Sequence, residues 1–229
     1  MKQVINEKLI SRNKKIGNIT SILGIVILVG GLILNFKPTT TKTLISFGAL
    51  IIGFIVAQVS TYFVNKFGRS PRFDELISDN LTKLNDSYTF YVYEGPIPML
   101  LVGPAGLWIP IPIAASGEIY YDKKWKQQGG GFLLKLFGQE KIGRPAMDVE
   151  SHEKRIREFL SDHLEDEEMP TINSILVSIH PKATIGDIEN APTSLVKVDA
   201  LRRSIRRVDR KVEEEIPQDI LDKLNALLS

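Results

Sequence analysis

The groups in this chain able to do chemistry are few. It has three histidines among 229 residues, no cysteine, and 27 carboxylates against 29 lysines and arginines. The lack of cysteine rules out a thiol nucleophile, a thiolate-held metal and a disulfide framework, and it fits a reducing compartment. His152 and His163 fall on one helix-like segment among acidic neighbours and read as exposed polar residues; His180 stands in an "HP" step that reads as a cap or turn. None has the H-E-x-x-H spacing that brings two imidazoles to one helix face around zinc. There is no G-x-S-x-G elbow. In "GQEKIGRP" two glycines are five apart, but no K-[ST] follows to meet a phosphate, so it is no P-loop. Glu94 and Glu118 flank the apolar middle of the chain and read best as surface charge. Asp122 with Lys123 and Lys124 reads as a solvated strand end or hairpin.

The densest charge is "LRRSIRRVDRK" (201–211). At helical spacing, Leu201, Ile205, Val208 and Val212 make one narrow apolar stripe. Arg202, Arg206 and Arg210 make one row of cations, and Arg203, Arg207 and Lys211 a second. Such a face is either simply solvated, or meets anionic headgroups, or meets a nucleic-acid backbone. Glu213, Glu214 and Glu215 follow at once and can pair with Arg210 and Lys211. The net charge of +2 gives no global case for nucleic acid, so that reading rests on this run alone.

The elements that must position these groups begin with two apolar runs. Between Lys15 and Lys37 lie 21 residues without a charge, and between Lys42 and Lys66 another 23. About 20 apolar residues suffice for a helix to cross a hydrocarbon core of roughly 30 Å. Two such runs in succession, joined by "KPTTTK", read as a transmembrane helical hairpin over 16–66 and not as a cleaved signal. Gly24, Gly30, Gly31, Gly48 and Gly53 permit close helix approach. Neither run contains an ionisable residue, so the hairpin reads as an anchor and not as an ion or proton path. Five basic residues precede the first run, and Lys66, Arg69 and Arg72 follow the second; the joining loop has Lys37 and Lys42. That bias places both termini in the cytoplasm, with residues 1–15 a cytoplasmic tail and 67–74 a linker.

The rest, 75–229, alternates helical and extended patterns. Leu76, Ile77, Leu81 and Leu84 predict a helix; "YTFYVYEG", "PMLLVGP", "GLWIPIPIA" and "GEIYYD" predict strands. Pro110 and Pro112 lack N–H donors, which puts their strand at an edge, bends it, or leaves it paired on one side only. "KKWKQQGGGFLLKLFGQEKIGRP" reads as a loop whose Phe132–Phe137 stretch is amphipathic and packs on the domain or dips into a membrane interface. A helix over 146–164, strands in "TINSILVSIH" and "TSLVKV", and two closing helices follow. The order predicts an α/β class protein: a two-helix transmembrane hairpin, then a cytoplasmic mixed sheet flanked by helices.

"LLVGPAGLWI" (100–109), with the later "GEIYYDKKW", "GRPAMDVESHEKRIREFL" and "ILVSIHP", resembles the nuclease-related domain (NERD), a branch of the restriction-endonuclease-like PD-(D/E)XK fold. The resemblance covers roughly residues 72–200 and is nearest to membrane-anchored members with an altered catalytic motif. In such nucleases an aspartate and the acid of an E-x-K hold a divalent ion that activates water. The resemblance puts the aspartate at Pro98, the second acid at Ile111 and the lysine at Ile113. None of these side chains can bind a cation.

The expectation is therefore a membrane-anchored NERD-like module of a bacterial inner membrane that binds or scaffolds without hydrolysis and needs no cofactor. Its expected partners are the membrane itself, anionic headgroups or a protein. The alternatives are a metal-dependent nuclease rebuilt around Glu94 or Glu118, and a tethered nucleic-acid binder.

Overall fold

The computed structural model of the chain describes residues 1–37, 39–131, 141–212 and 215–228. It divides into two units: Met1–Asn6 with Phe73–Ser229, and Glu7–Arg72.

The second unit is the hairpin. Helix α1 is Glu7–Leu34 and helix α2 Thr40–Phe63, followed by a π turn over Val64–Gly68. Both helices are long and apolar enough to cross a membrane, and most of each apolar stretch is not buried within the protein. The buried positions recur every seven residues: Gly17, Gly24 and Gly31 on α1, Ser46, Gly53 and Ser60 on α2. A strict seven-residue repeat keeps one seam facing its partner. Small residues in that seam bring the backbones close enough for Ser46 Oγ to donate to the Gly31 carbonyl at 2.7 Å, and Ser60 Oγ to that of Gly17 at 3.1 Å. A Cβ on Gly31 would meet Ala49 Cβ at 2.9 Å, whereas one on Gly30 or Gly48 would meet nothing within 4 Å. Gly30 and Gly48 thus lie off the seam expected for them, and Gly17 is the glycine that sequence reading missed.

The first unit holds two sheets. The larger has six strands in the order β1-β2-β3-β4-β7-β9: Lys2–Ile5, Thr89–Val92, Met99–Gly103, Gly106–Ile113, Ile172–Ser178 and Ser194–Lys197. Pairs β2–β3 and β3–β4 are antiparallel; β1–β2, β4–β7 and β7–β9 are parallel. The smaller sheet sets β5 (Gly117–Asp122) between antiparallel β6 (Lys124–Gln128) and parallel β8 (Ala183–Ile185).

Helices cover both faces of the larger sheet. On one, Leu107, Ile109, Ile111 and Ile113 pack with Ile156 and Leu160 of α4 (Pro145–Ser161) and with Leu221 and Leu224 of α6 (Gln218–Leu227). On the other, Trp108, Ile175 and Val177 pack with Ile77 and Leu81 of α3 (Phe73–Leu81) and with Leu201 and Ile205 of α5 (Leu201–Asp209).

Strand β4 lies inside the sheet, so its prolines are not on an edge strand. The third expectation for them holds instead. The Leu107 amide donates to the Thr171 carbonyl, and the Ile113 carbonyl accepts from Ile179 N, so odd-numbered residues of β4 bond β7. Even-numbered residues face β3, whose ladder with β4 ends at Trp108. By that register Pro110 faces Met99, the first residue of β3, and having no N–H it cannot extend the ladder, while Pro112 lies beyond the end of β3.

Other expectations need correction. The N-terminal segment expected to be a tail is not all tail, because Lys2–Ile5 forms the edge strand β1. Lys124–Gln128, expected in a loop, returns from β5 through a tight turn at Lys123, where φ is 56°. The arginine helix ends at Asp209. Residues Phe132–Phe137, with their amphipathic reading, lie outside the described residues.

Candidate functional site

Helix α5 carries the residues that sequence reading singled out. Its anchors are Leu201 and Ile205, both fully buried against the sheet. The expected stripe does not continue through Val208 and Val212, which are 36% and 37% exposed. It continues at Asp209, one helical turn beyond Ile205. A carboxylate in a core-facing row must find donors or neutralise. Asp209 finds two: the Tyr88 hydroxyl donates to Oδ2, and Trp108 Nε1 donates to Oδ1 at 3.1 Å.

The motif glycines shape this cluster. A Cβ on Gly103 would meet the Tyr88 ring at 2.5 Å, so glycine there lets the ring lie across the strand. Gly106 has φ 139°, and a Cβ would come within 2.7 Å of the Thr171 carbonyl. Between them, the Pro104 carbonyl accepts from Ile216 N at 2.7 Å, which fastens the chain beyond α5 to the same turn. An open cavity of about 320 Å³ results, lined by Asn85, Tyr88, Pro104, Arg206, Arg210 and Glu215 among others.

The electrostatics follow from burial. Burial first, then the bond to Asp209 and its charge, raises the Tyr88 phenol above the ordinary tyrosine range. Burial also raises the Asp209 carboxyl, against the two donated bonds, which lower it. A raised phenol makes a prediction with a definite sign. The unfolded chain's tyrosine ionises near pH 10, while Tyr88 in the fold holds its proton. The stabilisation is complete below pH 10 and is lost as pH rises from there toward the folded value. Tyr88→Phe is expected to flatten the alkaline limb of the stability–pH curve of the full chain, read by thermal melts in steps above pH 9; an unchanged limb would refute the coupling.

The six cations do not act as one face. Arg206 turns to the protein, donating to the Lys83 carbonyl at 3.0 Å. Arg202 is half-buried; Arg203 and Arg207 are exposed. Arg210 caps the helix C-terminus, its amide donating to the Arg206 carbonyl, and Lys211 lies beyond. Glu215 shares a cavity wall with Arg206 and Arg210, while Glu213 and Glu214 lie outside the described residues. Tyr88, Trp108 and Asp209 are the site residues that sequence reading missed; the signal was a lone carboxylate continuing the Leu201–Ile205 row.

At the positions assigned by the nuclease resemblance, Ile111 and Ile113 are each 3% exposed and fill the core beneath α4 and α6. The Pro98 carbonyl accepts from Tyr93 N at 2.8 Å in the loop before β3. Glu94 lies in that loop, and Glu118 lies on the smaller sheet, its carboxylate against Gly186. His163 Nδ1 bonds the Phe159 carbonyl at 2.7 Å, and His180 Nδ1 accepts from Lys182 N at 3.2 Å as a turn residue. His152, expected to be exposed, is half-buried with Nδ1 sealed from solvent. Among the described residues no group of three or more histidines and carboxylates is arranged to hold a metal ion. No family model matches the sequence, and no curated protein or solved structure matches it.

Proposed function

We propose that this is a membrane-anchored binding or scaffolding protein: a two-helix hairpin in the cell membrane of a bacterium, carrying a cytoplasmic NERD-like α/β unit that does not hydrolyse. The observation that carries the reading is the pair Ile111 and Ile113, core side chains at the positions where such a nuclease needs a carboxylate and a lysine. Neither can hold the divalent ion that phosphodiester hydrolysis of this type requires.

The anchor is supported by the hairpin's outer surface. Ile22, Ile25, Val26, Leu32, Phe47 and Ile51 are exposed, while the small residues face inward. Orientation is supported in two independent ways. Basic residues flank the outer ends of the two runs. Strand β1 precedes the hairpin and pairs with β2, which follows it, so the chain must leave and return on the same side.

The test uses the full chain in lipid nanodiscs, incubated with single- and double-stranded DNA and RNA in magnesium, manganese or EDTA. No cleavage is expected. Metal-dependent products that disappear in Glu94→Gln or Glu118→Gln would overturn the reading in favour of a rebuilt nuclease. The exposed Arg203 and Arg207 favour a second reading, a tethered nucleic-acid binder; its mark is retention without cutting that weakens steeply with salt.

A further inference from the structure

We infer that the hairpin pairs with a second copy of itself in the bilayer, through the outer face of α2 and an amide pair made by Gln58 of each copy; this rests on the membrane reading above. Thr20, Ser46, Ser60 and Thr61 each donate to a backbone carbonyl of the hairpin. Gln58 does not. It is exposed, and no hydrogen bond joins its amide to any of the described residues. The charge-free run of α2 is 43–65, with Phe54 at its middle, four residues before Gln58. Helical side chains tilt toward the helix N-terminus and cover the turn before their own Cα. For Gln58 that turn holds Phe54 and Ile55, so the amide is carried toward the middle of the run and away from Lys66. Asn18, the exposed amide of α1, stands three residues from Lys15 and tilts the other way, toward that basic end, where water satisfies it. Lipid chains give Gln58 neither donor nor acceptor, and an amide left unpaired there is costly.

The occupant follows from chemistry and symmetry. An amide carries both donors and an acceptor, so a second amide complements it. Two copies inserted under the same charge bias share one orientation, and their α2 helices run parallel. A twofold axis along the bilayer normal then sets each residue opposite its own copy. Each Gln58 donates to the other's amide oxygen, and a second copy is the one partner in which an amide stands at that depth by necessity. The surrounding face suits a helix. Leu44, Gly48, Ile51, Ile55, Gln58 and Tyr62 follow one another in steps of four and three, the spacing of a two-helix seam. The large apolar members are exposed. A Cβ on Gly48 would meet nothing within 4 Å, and a glycine in such a seam lets a second backbone approach. At 3.6 residues per turn this face lies roughly 160° around α2 from the Ser46, Gly53 and Ser60 seam that α1 fills.

The chain has no cysteine, so one introduced thiol reports alone. The full chain is reconstituted into phosphatidylcholine vesicles with a single substitution, oxidised, and read for cross-linked dimer over a series of protein-to-lipid ratios. Leu44→Cys, Ile51→Cys and Ile55→Cys are expected to cross-link. Ile45→Cys, Ile52→Cys and Val59→Cys, equally open but one residue further around the helix, are expected not to. Adding Gln58→Leu to Ile51→Cys is expected to weaken pairing roughly 5–30-fold, equivalent to about 1–2 kcal/mol. Gln58→Asn, which keeps the amide, should pair more tightly than Gln58→Leu. A helical melt unchanged by Gln58→Leu shows that the hairpin still folds. A chain stripped from the vesicles by alkaline carbonate overturns the anchor and the pairing with it. A chain that stays in the vesicles yet gives no dimer, gives dimer through 45, 52 and 59 instead, or gives dimer indifferent to Gln58→Leu overturns the pairing and leaves the anchor intact. A chain monomeric in vesicles whose position 51 cross-links to a different protein in whole membranes overturns the second copy in favour of a foreign helix.

Discussion

Ile111→Glu is expected to destabilise the α/β unit strongly, not to arm it. The side chain at 111 is 3% exposed, on the face of β4 that packs under α4 and α6. Removing isoleucine forfeits about 1.5–3 kcal/mol of burial, and a carboxyl placed there without donors costs about 1–3 kcal/mol more even when neutral. A loss of roughly 3–6 kcal/mol is a large share of the 5–15 kcal/mol of a typical domain. In a unit of this size it lowers the Tm by about 10–20 °C. Ile111→Val, which keeps the chemistry, should cost only about 0.5–1.5 kcal/mol. The glutamate variant should worsen as pH rises above the ordinary glutamate range, since its folded-state carboxyl is raised and the unfolded chain ionises first. Thermal melts of the full chain across pH test this. If Ile111→Glu with Ile113→Lys were well folded and gained stability from manganese, position 111 would open on a metal-accessible cleft, and the core assignment would fail.

The second large effect is expected at the other end of the sequence. Deleting residues 2–5 from the full chain should leave the α/β unit aggregation-prone and open to trypsin. β1 pairs in register with β2 over Lys2–Ile5, and it is flanked by hydrogen bonds donated from the Lys2 amide to the Tyr88 carbonyl and from the Asn6 amide to that of Val92, at 2.9 and 3.0 Å. Val4 packs on one core and Met1 and Ile5 on the other, so the strand seals both faces. Losing these partly buried side chains removes about 3–5 kcal/mol. It also bares an edge, TFYV, that is buried and free of charge. Residues 73–229 alone should behave as the deletion does, and residues 1–6 joined to them by a glycine–serine linker should restore a cooperative melt. A stable, monomeric 73–229 would refute the role given to β1.

Much of this was legible in the residues, for reasons that are local. The hairpin announces itself in two charge-free runs, and α3, α4 and α6 in apolar residues at helical spacing. β2, β3, β5 and β7 show in their aromatic and branched composition. What escaped depends on partners far along the chain. "KQVI" is too short to read as a strand, and the β2 that requires it begins at Thr89. β6 is hidden because lysines and glutamines fill "KWKQQ" and three glycines follow it. The prolines of β4 limited pairing to one side over the half of the strand that holds them, the other half pairing with β3 as well, but no pattern revealed that β7 would be the neighbour. At α5 the cations were plain, but the inward turn of Arg206 depends on the Lys83 carbonyl and that of Asp209 on Tyr88 and Trp108.

The pairing of β1 with β2 also sets an order of events during synthesis. Lys2 waits for Thr89, which is 87 residues later in the chain. At about 5–20 residues per second, that is a delay of roughly 4–17 s. Both apolar helices emerge within this interval, so the first strand made stays without its partner until both have been synthesised, although β7 and β9 come later still. The nascent domain is a ring whose closing link was threaded first, and it can close only once the hairpin has turned back.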